Sequence, residues 1–102
     1  MGRGQPTYDL HELQRLIGQG PLSSWITQAA ADGAAELDLS DDDIVDAVLR
    51  LEPQHFYKSM ESASCPGLWQ DVYHLEYRQT WTYIKLQRNP AGRAVVVQFN
   101  RK

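Results

Sequence analysis

The sequence predicts an α+β domain in which N-terminal helices pack on one face of a C-terminal, mainly antiparallel, twisted sheet. Three observations lead there. Before Pro53, apolar residues recur at helical spacing between capping residues and Gly or Pro stops. From His55 onward the pattern alternates as half-buried strands do, with a strong turn signal near the end. The chain has 102 residues, enough for one core, so residues 1–102 are read as a single domain. Helices followed by hairpin-joined strands cover one sheet face and leave the other open.

The elements follow in order. Residues 1–8 are polar and rich in Gly and Pro, so a frayed terminus is expected, anchored by Tyr8. Asp9 and Glu12 have the spacing of a capping box, and Leu10, Leu13, Leu16 and Ile17 form the stripe behind it. Gly18, Gly20 and Pro21 end that helix. Leu22 to Ile26 is ambiguous. Thr27 or Ser24 caps a second helix to about Leu37, whose Ala30 and Ala34 allow close packing. Gly33 weakens it by up to about 1 kcal/mol relative to alanine. Ser40 caps a third helix, with Asp41, Asp42 and Asp43 at the positive end of its dipole. Ile44, Val45, Val48, Leu49 and Leu51 supply its apolar stripe, and Pro53 stops it.

Strands are expected near residues 55–61, 68–76, 80–88 and 93–101, with Asn89-Pro90-Ala91-Gly92 as the turn between the last two. Strict alternation puts Val95, Val97 and Phe99 on one face and Val96, Gln98 and Asn100 on the other. Likewise Thr82, Ile84 and Leu86 oppose Trp81, Tyr83 and Lys85.

Composition excludes several classes. No apolar run approaches the roughly 18 residues of a membrane helix, and residues 1–6 lack the apolar core of a signal peptide, so a cytoplasmic location is expected. Cys65 is the only cysteine, so no internal disulfide forms. His11-Glu12 begins like a zinc-protease motif, but Arg15 stands where the second histidine belongs. His11, His55 and His74 read as ordinary surface or interface histidines, and no metal or other cofactor is expected.

The net charge is −3, but it is unevenly spread. Residues 1–52 carry three arginines against ten acids, whereas residues 53–102 carry seven basic residues against three acids. Seven of the ten aromatics fall between Phe56 and Leu86, in the same basic half. Rings interleaved with lysine, glutamine and tyrosine donors on a sheet suit single-stranded RNA: bases stack on the rings and phosphates take the charge.

Three blocks carry a family resemblance: Phe56-Tyr57-Lys58-Ser59-Met60, Trp69-Gln70-Asp71-Val72-Tyr73 and Tyr83-Ile84-Lys85-Leu86. With Pro6-Thr7-Tyr8-Asp9-Leu10 and the ending Val97 to Lys102, they resemble the MqsR family of bacterial toxins over essentially the whole chain. The resemblance implies a RelE-like fold and endoribonuclease activity on messenger RNA. It also implies a cognate antitoxin, zinc-containing with a helix-turn-helix DNA-binding domain. The family's catalytic residues carry over onto Lys58, Gln70 and Tyr83. A fourth does not: the family usually ends Ser-Phe-Lys, where this chain reads Gln98-Phe99-Asn100. Cys65-Pro66-Gly67 likewise stands where the family usually has an Asp-His pair before the tryptophan. Asn100 therefore separates an active ribonuclease from a catalytically weakened module that mainly binds its antitoxin and takes part in transcriptional autoregulation.

The expected chemistry is metal-free. The 2′-hydroxyl attacks the adjacent phosphate, giving a 2′,3′-cyclic phosphate and a 5′-hydroxyl. Lys58 neutralises phosphorane charge or exchanges a proton, Tyr83 donates one, and Gln70 orients oxygens. Tyr57, Trp69 and Trp81 are candidate stacking platforms, and Lys85, Asn100 and Lys102 contact phosphate. Lys102 is expected at a mobile end. With Gln70 outward, Trp69, Asp71 and Tyr73 turn to the other side, and Trp69 and Tyr73 read as core. Lys58 conflicts with this, because alternation gives it the face of Phe56 and Met60. A bulge or a partly apolar site is required.

Overall fold

The computed structural model describes residues 2–102. Three helices, α1 (Leu10–Gly18), α2 (Gln28–Ala35) and α3 (Asp41–Leu49), cover one face of a six-stranded sheet. The strands are β1 (Gly2–Arg3), β2 (Ser24–Ile26), β3 (Phe56–Glu61), β4 (Trp69–Tyr77), β5 (Thr80–Arg88) and β6 (Ala94–Arg101), in spatial order β1-β3-β4-β5-β6-β2. Every pairing is antiparallel except β2 with β6. The four long strands match the expected ones within about a residue. No helix in the described residues is long and apolar enough to cross a membrane.

The two short edge strands depart from the sequence reading. The N-terminal segment is tied down where fraying was expected. Gly2 and Arg3 pair with Met60 and Ser59, and the Arg3 guanidinium lies 3.5 Å from the Trp69 ring centroid. Asp71, fully buried, accepts hydrogen bonds from the backbone N–H groups of Thr7 (3.0 Å) and Tyr8 (2.9 Å). The Tyr8 hydroxyl donates to the Trp69 carbonyl at 2.7 Å, so Tyr8 is the anchor the sequence suggested. The ambiguous stretch forms β2, and Thr27 rather than Ser24 caps α2 by accepting from the Ala30 N–H.

The helix ends follow local chemistry. Asp9 caps α1 through the His11 N–H, while Glu12 turns away to pair with Arg15, so that box stays open. Ser40 and Asp43 close a full capping box on α3. Leu49 departs from the expected stripe and is exposed, while Ala47 is buried in its place. Pro53 opens a short 3-10 turn after the helix has ended at Leu49.

Gly33 has a reason the sequence did not reveal. α2 continues past β2 along the outer edge of β6, guided by the Thr27 hydroxyl donating to the Val97 carbonyl at 2.7 Å. A Cβ on Gly33 would lie 2.0 Å from the Phe99 carbonyl oxygen. Glycine lets the helix backbone touch the strand.

The core lies between the helices and the sheet. Leu13, Leu16, Ile44 and Val48 meet Tyr73, Leu75, Ile84, Leu86 and Phe99. Alternation fails once in β6. Leu86 pairs with Val96 but Lys85 with Gln98, so Val97 is an extra residue. Beyond this bulge the facing reverses. Ala94 and Val96 join Phe99 in the core, while Val95 pairs with Gln87 on the opposite face. The sequence reading of Val95 and Val96 is thereby corrected, because a bulge shifts the period-two pattern by one.

Candidate active site

The sheet face away from the helices is open, and cross-strand pairing lays out its side chains in rows. The first row holds Glu76 and Trp81, with Lys102 at its end. The second runs His74, Tyr83, Asn100. The third runs Lys58, Val72, Lys85, Gln98. The fourth holds Met60 and Gln70, then Gln87 and Val95. All eight site residues named from the sequence therefore share one face.

A second bulge makes this possible. Phe56 pairs with Tyr73 and Lys58 with Val72, leaving Tyr57 unpaired. Phe56 turns to the core side, edge-on to Tyr73 at 5.7 Å. Tyr57 and Lys58 then both point to the open face, the first stacked on His74 and the second paired with Val72. The conflict over Lys58 is resolved by this bulge, and Met60 and Val72 also give the site an apolar part.

The rings form a continuous path. Tyr57 stacks on His74 with centroids 4.3 Å apart, and His74 lies 5.9 Å from Tyr83. Tyr57 and Trp81 are each about half exposed, at 54% and 51%. Tyr83 leans across β4, its hydroxyl 4.0 Å from the Met60 sulfur. Burial, and then the neighbouring Tyr57, push its phenol above the usual tyrosine value, so it holds its proton at neutral pH.

The cations divide by type. The arginines of the basic half act largely as staples: Arg78 pairs with Asp43 at 2.8 Å, and Arg93 donates to the Pro21 and Ser24 carbonyls. Lys58, Lys85 and Lys102 instead sit 5.4–5.8 Å from the centroids of Tyr57, Tyr83 and Trp81. Among the described residues none of the three makes an ion pair. Burial, and then repulsion from Lys58, hold the Lys85 ammonium below its ordinary pKa. Three unpaired ammonium groups over rings form a receptive surface for phosphates.

Gln70 is placed differently from the other two catalytic candidates. It is only 8% exposed, and its amide donates to Gln87 at 3.0 Å. It lies two rows from Tyr83, so its reach to the substrate runs through the Gln87 amide or a side-chain rotation. Asn100 pairs with Tyr83, but its amide accepts from Gln98 at 2.7 Å and donates to the Arg101 carbonyl at 2.9 Å. Lys102 is held where a mobile end was expected. Its N–H donates to the Trp81 carbonyl at 2.9 Å, which carries its ammonium over the Trp81 ring. Fully buried Tyr73 lies in the core on the far side, as alternation required, but Trp69, read as core, is only half-buried at the edge under Arg3 and outside the core cluster.

Sequence reasoning missed His74 and Gln87. The signal for His74 was present: it follows Gln70 by four residues in one strand, hence on the same face. Gln87 follows Tyr83 by the same step. His11 and His55 are as expected, the first exposed and the second accepting the Glu52 N–H through Nδ1. A groove of about 460 Å³ between α1, β2 and α3 is lined by Ile17, Trp25, Val45 and Asp42 and contains none of the eight residues, whereas a more open one of about 680 Å³ between α2 and β6 includes Gln98 and Asn100 in its lining. Among the described residues no three His, Cys, Asp or Glu side chains cluster as metal ligands would.

Comparisons with known proteins give the family. The family model described as "Motility quorum-sensing regulator, toxin of MqsA" matches residues 5–101. The mRNA interferase toxin MqsR of Escherichia coli (strain K12) is 30% identical over 86 residues, covering 84% of this chain and 86% of that protein. The match spans every element from α1 to β6, and the chain belongs to the MqsR toxin family.

Proposed function

We propose that this chain is the toxin of a toxin–antitoxin pair and cleaves messenger RNA, without a metal, on the open face of its sheet. The observation that carries the reading is three unpaired lysines over aromatic rings, on the face that also holds Tyr83 and the Gln70–Gln87 amides. The E. coli relative, an mRNA interferase toxin, supports the same activity. RNA lies with bases on Tyr57 and Trp81 and a phosphate between Lys58 and Lys85. The 2′-hydroxyl attacks that phosphate while the lysines balance the growing phosphorane charge. Tyr83, still protonated, gives a proton to the departing 5′-oxygen. Family membership supports an antitoxin partner, which is proposed to be zinc-containing with a helix-turn-helix DNA-binding domain.

One observation favours the weaker alternative, a module that chiefly binds antitoxin: the Asn100 amide is already engaged by Gln98 and the Arg101 carbonyl. Lys102 weighs against it by returning a charge to the same end of the face. The test is end analysis of RNA cut by purified protein in excess chelator. Products with 5′-hydroxyl and 2′,3′-cyclic phosphate ends are expected. Cleavage that stops in chelator and returns with added metal would refute the mechanism.

A further inference from the structure

The reaction needs a group to accept the 2′-hydroxyl proton. Lysine and tyrosine side chains ordinarily carry their protons at neutral pH, which suits them to supply a proton better than to take one. Two side chains on the face can accept. Glu76 lies at the exposed end of β4, paired with Trp81. His74 lies at the centre, paired with Tyr83 on one side and stacked under Tyr57 on the other.

We propose that His74 is the general base that takes the 2′-hydroxyl proton, held in the gap between Tyr57 and Tyr83. The inference rests on the ribonuclease reading and adds to it. Geometry comes first. The Tyr57 stack, at 4.3 Å and 23° between planes, fixes the orientation of the imidazole. Among the described residues neither ring nitrogen has a hydrogen-bond partner, so one is open to a substrate hydroxyl. The ring is half-buried, which limits competition from water. A nucleotide stacked on the outer side of Tyr57 or on Trp81 brings its ribose over His74. The same placement sets the scissile phosphate toward Lys58 and Lys85 in the next row.

The charges around the ring suit the role. Tyr57 and Lys58 face it from β3, Tyr83 and Lys85 from β5, Lys102 from the end of β6, and Glu76 from its own strand. Burial, then Lys102 and Lys58, hold its pKa below the ordinary histidine value, so the neutral ring prevails at pH 7. In the step, the 2′-oxygen–phosphorus bond forms as the 2′-hydroxyl proton passes to the imidazole. The phosphorus–5′-oxygen bond breaks, and its electron pair stays on the 5′-oxygen, which takes a proton from Tyr83. The imidazolium then releases its proton to solvent, and the tyrosine regains one.

The experiment is a pH profile of kcat/KM from pH 5 to 9 on one short RNA, for the wild type, His74→Gln, His74→Ala and Glu76→Gln. Affinity for a 2′-deoxy analogue and thermal melting are measured alongside. The wild type is expected to show an acidic limb with apparent pKa below 6.5. His74→Gln should lose about 100-fold or more of kcat/KM, lose that limb, and still bind the analogue. Added imidazole should restore part of the His74→Ala rate. Glu76→Gln should keep the limb. If His74→Gln cleaves within about threefold of wild type with the same limb, or if Glu76→Gln removes the limb, His74 is not the base. If histidine variants melt early, the wild-type profile decides: a flat profile down to pH 5 overturns the assignment. A wild type that cuts no RNA defeats the ribonuclease reading along with this one. Normal cleavage with an unaffected His74→Gln defeats this one alone.

Discussion

At Asn100 and Lys102 a single charge is at stake. Asn100 is the cross-strand partner of Tyr83, and its amide is already satisfied by Gln98 and the Arg101 carbonyl. A lysine there would add a fourth cation beside Tyr83 and contribute roughly 1–3 kcal/mol toward phosphate. Asn100→Lys is therefore expected to raise cleavage by about 5-fold to roughly 150-fold at fixed salt. Lys102→Ala, assayed in parallel, is expected to lower it. The backbone bond from Lys102 to Trp81 orders a side chain that sequence alone treated as entropically costly to use. Unchanged cleavage in Asn100→Lys with complete loss in Lys102→Ala would mean that the terminal lysine has taken over the role. His74 shows the limit of residue-by-residue reading. As a lone histidine it has no motif, and only its register beside Tyr83 and under Tyr57 gives it meaning.

Elements were legible where local chemistry decides them. Ser40 with Asp43, Thr27 before Ala30, and Asn89 to Gly92 each bond within a few residues, so sequence suffices to locate them. The unread parts depend on distant partners. β1 and β2 are too short to stand alone and exist because β3 and β6 offer free edges. The bulge at Tyr57 could be inferred because Lys58 and Phe56 needed opposite faces. The bulge at Val97 could not, because Val95, Val96 and Val97 are chemically interchangeable and either register buries valine. Gly33 is the sharpest case of a residue explained only by its neighbour. Gly33→Ala puts a methyl group against the Phe99 carbonyl, and α2 must lift from β6 to make room. The change should destabilise the fold by about 1–3 kcal/mol despite alanine's better helix propensity. Thermal melting checks this; a stabilised variant would mean that α2 and β6 are not in contact in solution.

Across the whole molecule, the acidic half builds the helices and the basic half builds the four long strands, so a net charge of −3 conceals a face with three lysines and one glutamate. Five of the eight proposed site residues lie in the three sequence blocks, and apart from the conflict at Lys58 their common face was legible from strand alternation. Their depth was not. Gln70 is buried against Gln87, and no pattern along one strand reports what covers it from the next. The central claim is that RNA binds this open face and not the groove between α1, β2 and α3. The most direct measurement is an NMR titration of the labelled protein with a short RNA carrying a 2′-deoxy nucleotide at its cleavage site. Amide shifts are expected to concentrate at Tyr57, Lys58, His74, Tyr83, Lys85 and Lys102. Shifts confined to Ile17, Trp25, Asp42 and Val45, with the open face silent, would contradict the account.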